Sequence, residues 1–96
     1  ETEQYLDKLV TPVLSYDRDN KTELLKTLET FLNYNCNYRE TAKAMYVHHN
    51  TIRYRMEMIE KLLNVDLKKP EAALNLMLAI KLFNLKYSNY KTAFQL

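Results

Sequence analysis

Glycine and tryptophan are absent from this 96-residue chain, cysteine occurs once and proline twice. Without glycine, any turn that needs a left-handed backbone is expected to fall to asparagine, which tolerates it better than most residues. The single cysteine, Cys36, closes no internal disulfide and has no second thiol for a common structural zinc site. It sits in a polar stretch with no obvious base beside it, so packing and not nucleophilic chemistry is its expected role. Apolar runs never approach the roughly 20 residues needed to cross a bilayer, and the acidic start Glu1-Thr2-Glu3 lacks the basic region of a signal peptide. A cytoplasmic location is expected. The chain also lacks any set of His, Cys or carboxylate side chains at triad or metal spacing, so no enzyme activity, cofactor or metal is expected. His48 and His49 are adjacent, which on a helix points them about 100° apart, and they have no acidic or thiol partner at ligand spacing.

What is present has the balance of a folded domain, with 47% hydrophobic and 27% charged residues. The length suits one domain. Net charge is +2, too mild to identify a nucleic-acid binder by itself, but the distribution is uneven. Between Glu40 and Glu57 the only formal charges are Lys43, Arg53 and Arg55, joined by His48 and His49. The start at Glu1, in mid-pattern and without methionine, points to a fragment of a longer protein that has a further domain.

Apolar positions recur at three and four residues with no sustained period of two, which predicts an all-α fold, a small bundle of about five helices. Residues 1–20 read as an N-terminal helical linker, interrupted or restarted at Pro12 and followed by a polar break at Asp17-Arg18-Asp19-Asn20. Asn20 and Glu23 have capping-box spacing ahead of a helix to about Tyr34 with the stripe Leu24, Leu25, Leu28, Phe31 and Leu32. Asn37 and Glu40 repeat that spacing ahead of a short helix, Tyr38 to Met45. After Tyr46-Val47-His48, with His48 as an N-cap-like residue, a longer helix runs from about His49 to Leu63. Its buried row is Ile52, Met56, Ile59 and Leu63, and Asn64 ends it. Pro70 opens a last helix that is apolar almost all round, with a residue such as Leu78 expected to be buried. Residues 21–86 then form the principal domain and 87–96 a C-terminal tail. The methionines Met45, Met56, Met58 and Met77 read as helical packing.

The informative constellation is the short helix with small Ala42, the tight turn with Val47 inward, and the helix with Ile52 and Met56 inward, which is a helix-turn-helix. The arc of the second helix away from its buried row carries Asn50, Thr51, Arg53, Tyr54 and Glu57, and His49 projects from its leading end. Arginine bonds guanine bidentately, asparagine adenine, and threonine places a methyl against thymine, so His49, Asn50, Thr51, Arg53 and Tyr54 are the candidate base contacts. Glu57 is left out as a solvated carboxylate. Helix N-termini favour phosphate, which makes Asn37, Arg39 and Lys43 candidate backbone contacts. Arg55 joins them, although its place near the buried row also fits pairing with Glu40 or support of the turn.

The stretch from Asn37 to Met56, and above all Val47-His48-His49-Asn50-Thr51-Ile52-Arg53-Tyr54-Arg55, resembles the C-terminal helix-turn-helix of PucR/CdaR-type bacterial transcription regulators. The resemblance runs from about Leu9 to Leu85. Two departures stand out: His49 replaces a typical arginine, and Lys68-Lys69 replace acidic residues before Pro70. The arrangement is also similar to Fis-like domains. These resemblances imply a Fis-like helix-turn-helix that binds double-stranded DNA as a homodimer, on an inverted or near-inverted repeat. They also imply an N-terminal effector-sensing region outside this fragment. The competing reading is a helical dimerisation or protein-interaction module without DNA binding, in which the apolar last helix is the working surface.

Overall fold

A computed structural model of the chain describes the backbone of residues 2–94, with side chains at residue 4 and over 7–86. Five helices follow one another: α1 (Thr2–Asn20), α2 (Leu24–Asn33), α3 (Tyr38–Met45), α4 (His49–Leu63) and α5 (Pro70–Phe94). No strand occurs among the described residues, as the periodicity requires. α3 and α4 occupy the residues that the sequence pattern marks. The expected tail, 87–96, lies outside the described side chains, and its backbone continues α5 as far as Phe94.

α2 is the hub of the bundle and packs against each of the other four helices. Its period places Leu24, Leu28, Phe31 and Leu32 inward, with Leu25 at the margin. α4 contributes Ile52, Met56 and Ile59, all essentially inaccessible, and α5 contributes Leu76, Ala79 and Ile80. Each of the larger ones, the buried Leu, Ile, Met and Phe side chains, contributes about 1.5–3 kcal/mol of apolar transfer. α5 packs on α1 and α2, and makes no close backbone approach to α3 or α4 among the described residues. The helix-turn-helix and α5 therefore flank the hub on different sides. Leu78 is 48% exposed and, with Leu74 and Leu85, forms a row pointing away from the core, so the expectation that Leu78 is buried is corrected. The row is apolar because α5 is apolar nearly all round, and a helix resting on one side of a bundle buries only one of its faces.

The N-terminal third differs most from its sequence pattern. α1 is continuous through Pro12 and through the supposed break at residues 17–20. Proline leaves one carbonyl of the preceding turn unserved, at about 3 kcal/mol. Val10 and Val13, both at the centre of the packed core, offset that cost. The cap expected from Asn20 and Glu23 is not made. Asn20 Nδ2 instead donates back to the Tyr16 carbonyl at 3.0 Å, and Glu23 makes no side-chain cap bond. Asp17 takes over from inside the last turns of α1. Its carboxylate accepts from the Leu24 and Leu25 amides at 2.7 and 2.9 Å and from the Thr22 hydroxyl at 2.5 Å. One residue thus closes one helix and opens the next.

Four helix ends are closed without glycine in the same manner. Beside a left-handed residue, the amide of the next residue bonds a carbonyl five positions back: Thr22 to Asp17, Cys36 to Phe31, Val47 to Ala42 and Val65 to Glu60. The left-handed residues are Lys21, Asn35, Cys36, Tyr46 and Asn64, so asparagine covers only part of this work. A non-glycine residue there costs roughly 1–2 kcal/mol. The regained hydrogen bond, and the packing of Cys36, Val47 and Val65 on the core, offset it.

Candidate nucleic-acid interface

The α3–turn–α4 unit is written almost entirely by local contacts. Asn37 Oδ1 accepts from the Glu40 amide at 2.9 Å and opens α3, while the Thr41 hydroxyl bonds the Asn37 carbonyl at 2.7 Å. The reciprocal half of the capping box is missing, because the Asn37 amide bonds the Tyr34 carbonyl and Glu40 pairs with Lys43 at 3.6 Å. Tyr46 turns left-handed at the end of α3, which brings Val47 down onto the core. His48 then caps α4, its Nδ1 accepting from the Asn50 amide at 3.1 Å, so the neutral ring carries its proton on Nε2. Because His48 is extended and not helical, its ring is free to stack on His49 with centroids 4.2 Å apart, and the expected divergence of the two rings does not arise.

With Ile52, Met56 and Ile59 buried, α4 turns a polar arc outward. Asn50, Arg53 and Tyr54 are exposed, Tyr54 by 63%, while Thr51 and His49 are half-buried. Asn37, Arg39 and Lys43 are exposed along α3, Asn37 at its N-cap and Lys43 in its last turn. Arg39, Lys43, Tyr46, His48 and His49 line one open concavity between the two helices. Of the candidate contacts, the structure brings Arg39, Lys43 and His49 around this concavity, and leaves Asn50, Arg53 and Tyr54 exposed on α4. Arg55 is placed differently. It is half-buried on the α2 flank, where Nη1 donates to the Thr27 hydroxyl at 3.1 Å, and Glu40 is not its partner.

Arg53 leans the other way, its guanidinium carbon 4.5 Å from the centre of the Tyr38 ring on α3. Tyr38 in turn lies 5.0 Å from the Phe31 ring. Partial desolvation, followed by the charges of His48, Arg39 and Arg53, pushes the His49 imidazole below its ordinary pKa, which favours a neutral ring at pH 7. Burial pushes the Cys36 thiol up, consistent with a packing role. No cluster of three potential metal ligands occurs among the described residues.

Two residues escaped the sequence reading. Tyr38 touches Arg53 across fifteen positions of chain, beyond the reach of any single-helix wheel. Tyr46 is 94% exposed in a conformation that favours glycine or asparagine. The signal for Tyr46 was available: a turn in a glycine-free chain must use some other residue.

Residues 24–82, from the start of α2 into α5, match the PucR C-terminal helix-turn-helix domain. The chain belongs to that family. Among curated PucR-type relatives, the Purine catabolism regulatory protein of Bacillus subtilis (strain 168) is 42% identical over 72% of this chain and 13% of its own length. The Proline-responsive transcriptional activator PutR of the same organism is 32% identical over 86% of this chain and 20% of its own. The Carbohydrate diacid regulator of Escherichia coli (strain K12) is 34% identical over 67% of this chain and 17% of its own. The chain therefore spans a fifth or less of the length of these three relatives. No solved structure matches it. No described helix of this PucR-type domain is long and apolar enough to cross a membrane.

Proposed function

We propose that this chain is the sequence-specific DNA-binding domain of a bacterial transcription regulator acting in the cytoplasm, with α4 entering the major groove. The observation that carries this reading is the outward arc of α4. Asn50, Arg53 and Tyr54 are exposed with no acidic residue between Glu40 and Glu57 in the sequence, and Arg39 and Lys43 on α3 line a concavity with His49 at the start of α4. Arg53 and Asn50 are assigned to base edges, with Thr51, Tyr54 and His49 completing the base-facing set. Arg39, Lys43 and Asn37 are assigned to phosphates. Arg55 is assigned to holding α4 against α2 through Thr27.

Two copies on paired half-sites belong to the same reading, as the Fis-like resemblance implies. The exposed leucines Leu74, Leu78 and Leu85, with Lys81 between the last two, support a second copy, since apolar side chains left outside gain by being covered. The named functions of the relatives, all regulators, support an effector-sensing region elsewhere in the full protein. The same leucine row is what favours the second reading, an interaction module that leaves DNA untouched.

Selection of the chain against pooled random duplex DNA at two salt concentrations, with sequencing of the retained fraction, separates the two. The regulator reading predicts a paired half-site motif that Arg53→Ala abolishes while the variant stays folded. Absence of enrichment, even with a forced dimer at low salt, would leave the interaction module.

A further inference from the structure

The two arginines that follow one another closely on α4 are held in different ways. Arg55 spends a donor on Thr27. Arg53 makes no hydrogen bond or ion pair among the described residues, and its contact is the face of the Tyr38 ring. A guanidinium held over a ring by its central carbon, with no hydrogen bond to the protein, keeps its N–H donors available, and those donors are what a bidentate contact with guanine requires. We propose that Tyr38 is the positioning residue for Arg53, holding its guanidinium where it discriminates guanine from the other bases.

The inference rests on the reading that α4 meets DNA. The platform is itself fixed. Tyr38 is the first residue of α3, set by the Asn37 cap, and its ring leans at 53° on Phe31, which is 3% exposed at the centre of the bundle. The chain Phe31–Tyr38–Arg53 therefore links the hydrophobic core directly to a base-facing side chain. An unstacked arginine must lose its rotamer freedom when it binds, and a stacked one has lost part of it already. The gain falls on the correct base, where the fork is filled, and less on a wrong base that takes a single bond.

The test compares wild type, Tyr38→Leu and Tyr38→Phe on the selected duplex and on a duplex with the guanine opposite Arg53 changed to adenine. Tyr38→Leu is expected to lower the preference about three-fold, the size of an exposed cation–π contact. The salt dependence should not change, since no phosphate contact is lost. Tyr38→Phe, which keeps the ring face, is expected to retain the preference. In an Arg53→Ala background, which removes the cation, Tyr38→Leu should no longer affect it. A preference that Tyr38→Leu leaves intact overturns the proposal, whereas a wild type with no base preference overturns the DNA reading beneath it. A readout free of DNA guards against loss of folding in Tyr38→Leu. The Arg53 side-chain Nε–H resonance of the wild-type chain should show the ring-current shift of a stacked tyrosine, and its absence overturns the proposal by itself.

Discussion

α4 and α5 each bury one face in the same bundle, and the faces they leave outside have opposite chemistry. α4 exposes Asn50, Arg53 and Tyr54, while α5 exposes Leu74, Leu78 and Leu85. Both helices obey the same rule of apolar periodicity inward. What remains on the outer face is not needed for packing this bundle: polar side chains, one of them a guanidinium fork, on α4, and three leucines with Lys81 among them on α5. The two helices make no close backbone approach among the described residues, so the two outward faces are separate surfaces.

The comparison breaks or holds under mutation. Within α5, Leu76→Ala should cost about 2–5 kcal/mol in denaturant melts, because Leu76 is wholly buried. Leu78→Ala should stay within about 0.5 kcal/mol while weakening self-association measured by sedimentation, since its side chain lies on the outer row. Within α4, Arg53→Ala should lose about 1–3 kcal/mol of DNA affinity, with a stability loss of no more than about 1 kcal/mol from its contact with Tyr38. Arg55→Ala should do the reverse and lower stability by about 1 kcal/mol, through loss of its bond to Thr27. Asp17→Ala should cost about 1–2 kcal/mol of stability, the upper range for a cap, as it serves two amides at once. Tyr46→Gly should stabilise the fold by up to about 1 kcal/mol, by relieving a left-handed tyrosine.

The smallest effect is one of pH. His49 has a lowered pKa, so the unfolded chain takes up its proton first as the pH falls below the ordinary histidine value of about 6.5. Its contribution to stability is present above that value and fades as the pH falls toward its folded pKa. DNA favours the charged ring, so affinity should rise as the pH falls from about 7.5 to 5.5, and His49→Gln should flatten that rise. Salt-matched binding titrations of the two proteins check it.

The helix-turn-helix was legible because its determinants are local. Asn37 caps α3 three residues ahead of Glu40, His48 caps α4 two residues ahead of Asn50, and the Ile52–Met56–Ile59 row follows the helical period. The α1–α2 junction was not, because its cap comes from Asp17, seven residues before Leu24 and inside another helix. Local spacing favoured Asn20 and Glu23 for that role, and tertiary geometry assigned it elsewhere. Pro12 misled for a related reason. Its cost is local and its compensation, the burial of Val10 and Val13, lies in partners distant in sequence. In the candidate site, Asn50, Arg53 and Tyr54 are exposed where the helical wheel puts them and His49 and Thr51 are half-buried, while the opposite leanings of Arg53 and Arg55 depended on Tyr38 and Thr27 from neighbouring helices.

Amide chemical-shift mapping during titration with a selected duplex tests the outward face of α4 most directly. Shifts confined to the start of α3, the Tyr46 turn and the first two turns of α4, with Arg53 and Asn50 among the largest, are the predicted result. Shifts centred on Leu74, Leu78 and Leu85, or no saturable shifts on α4 at low salt, would contradict the assignment of α4 to DNA.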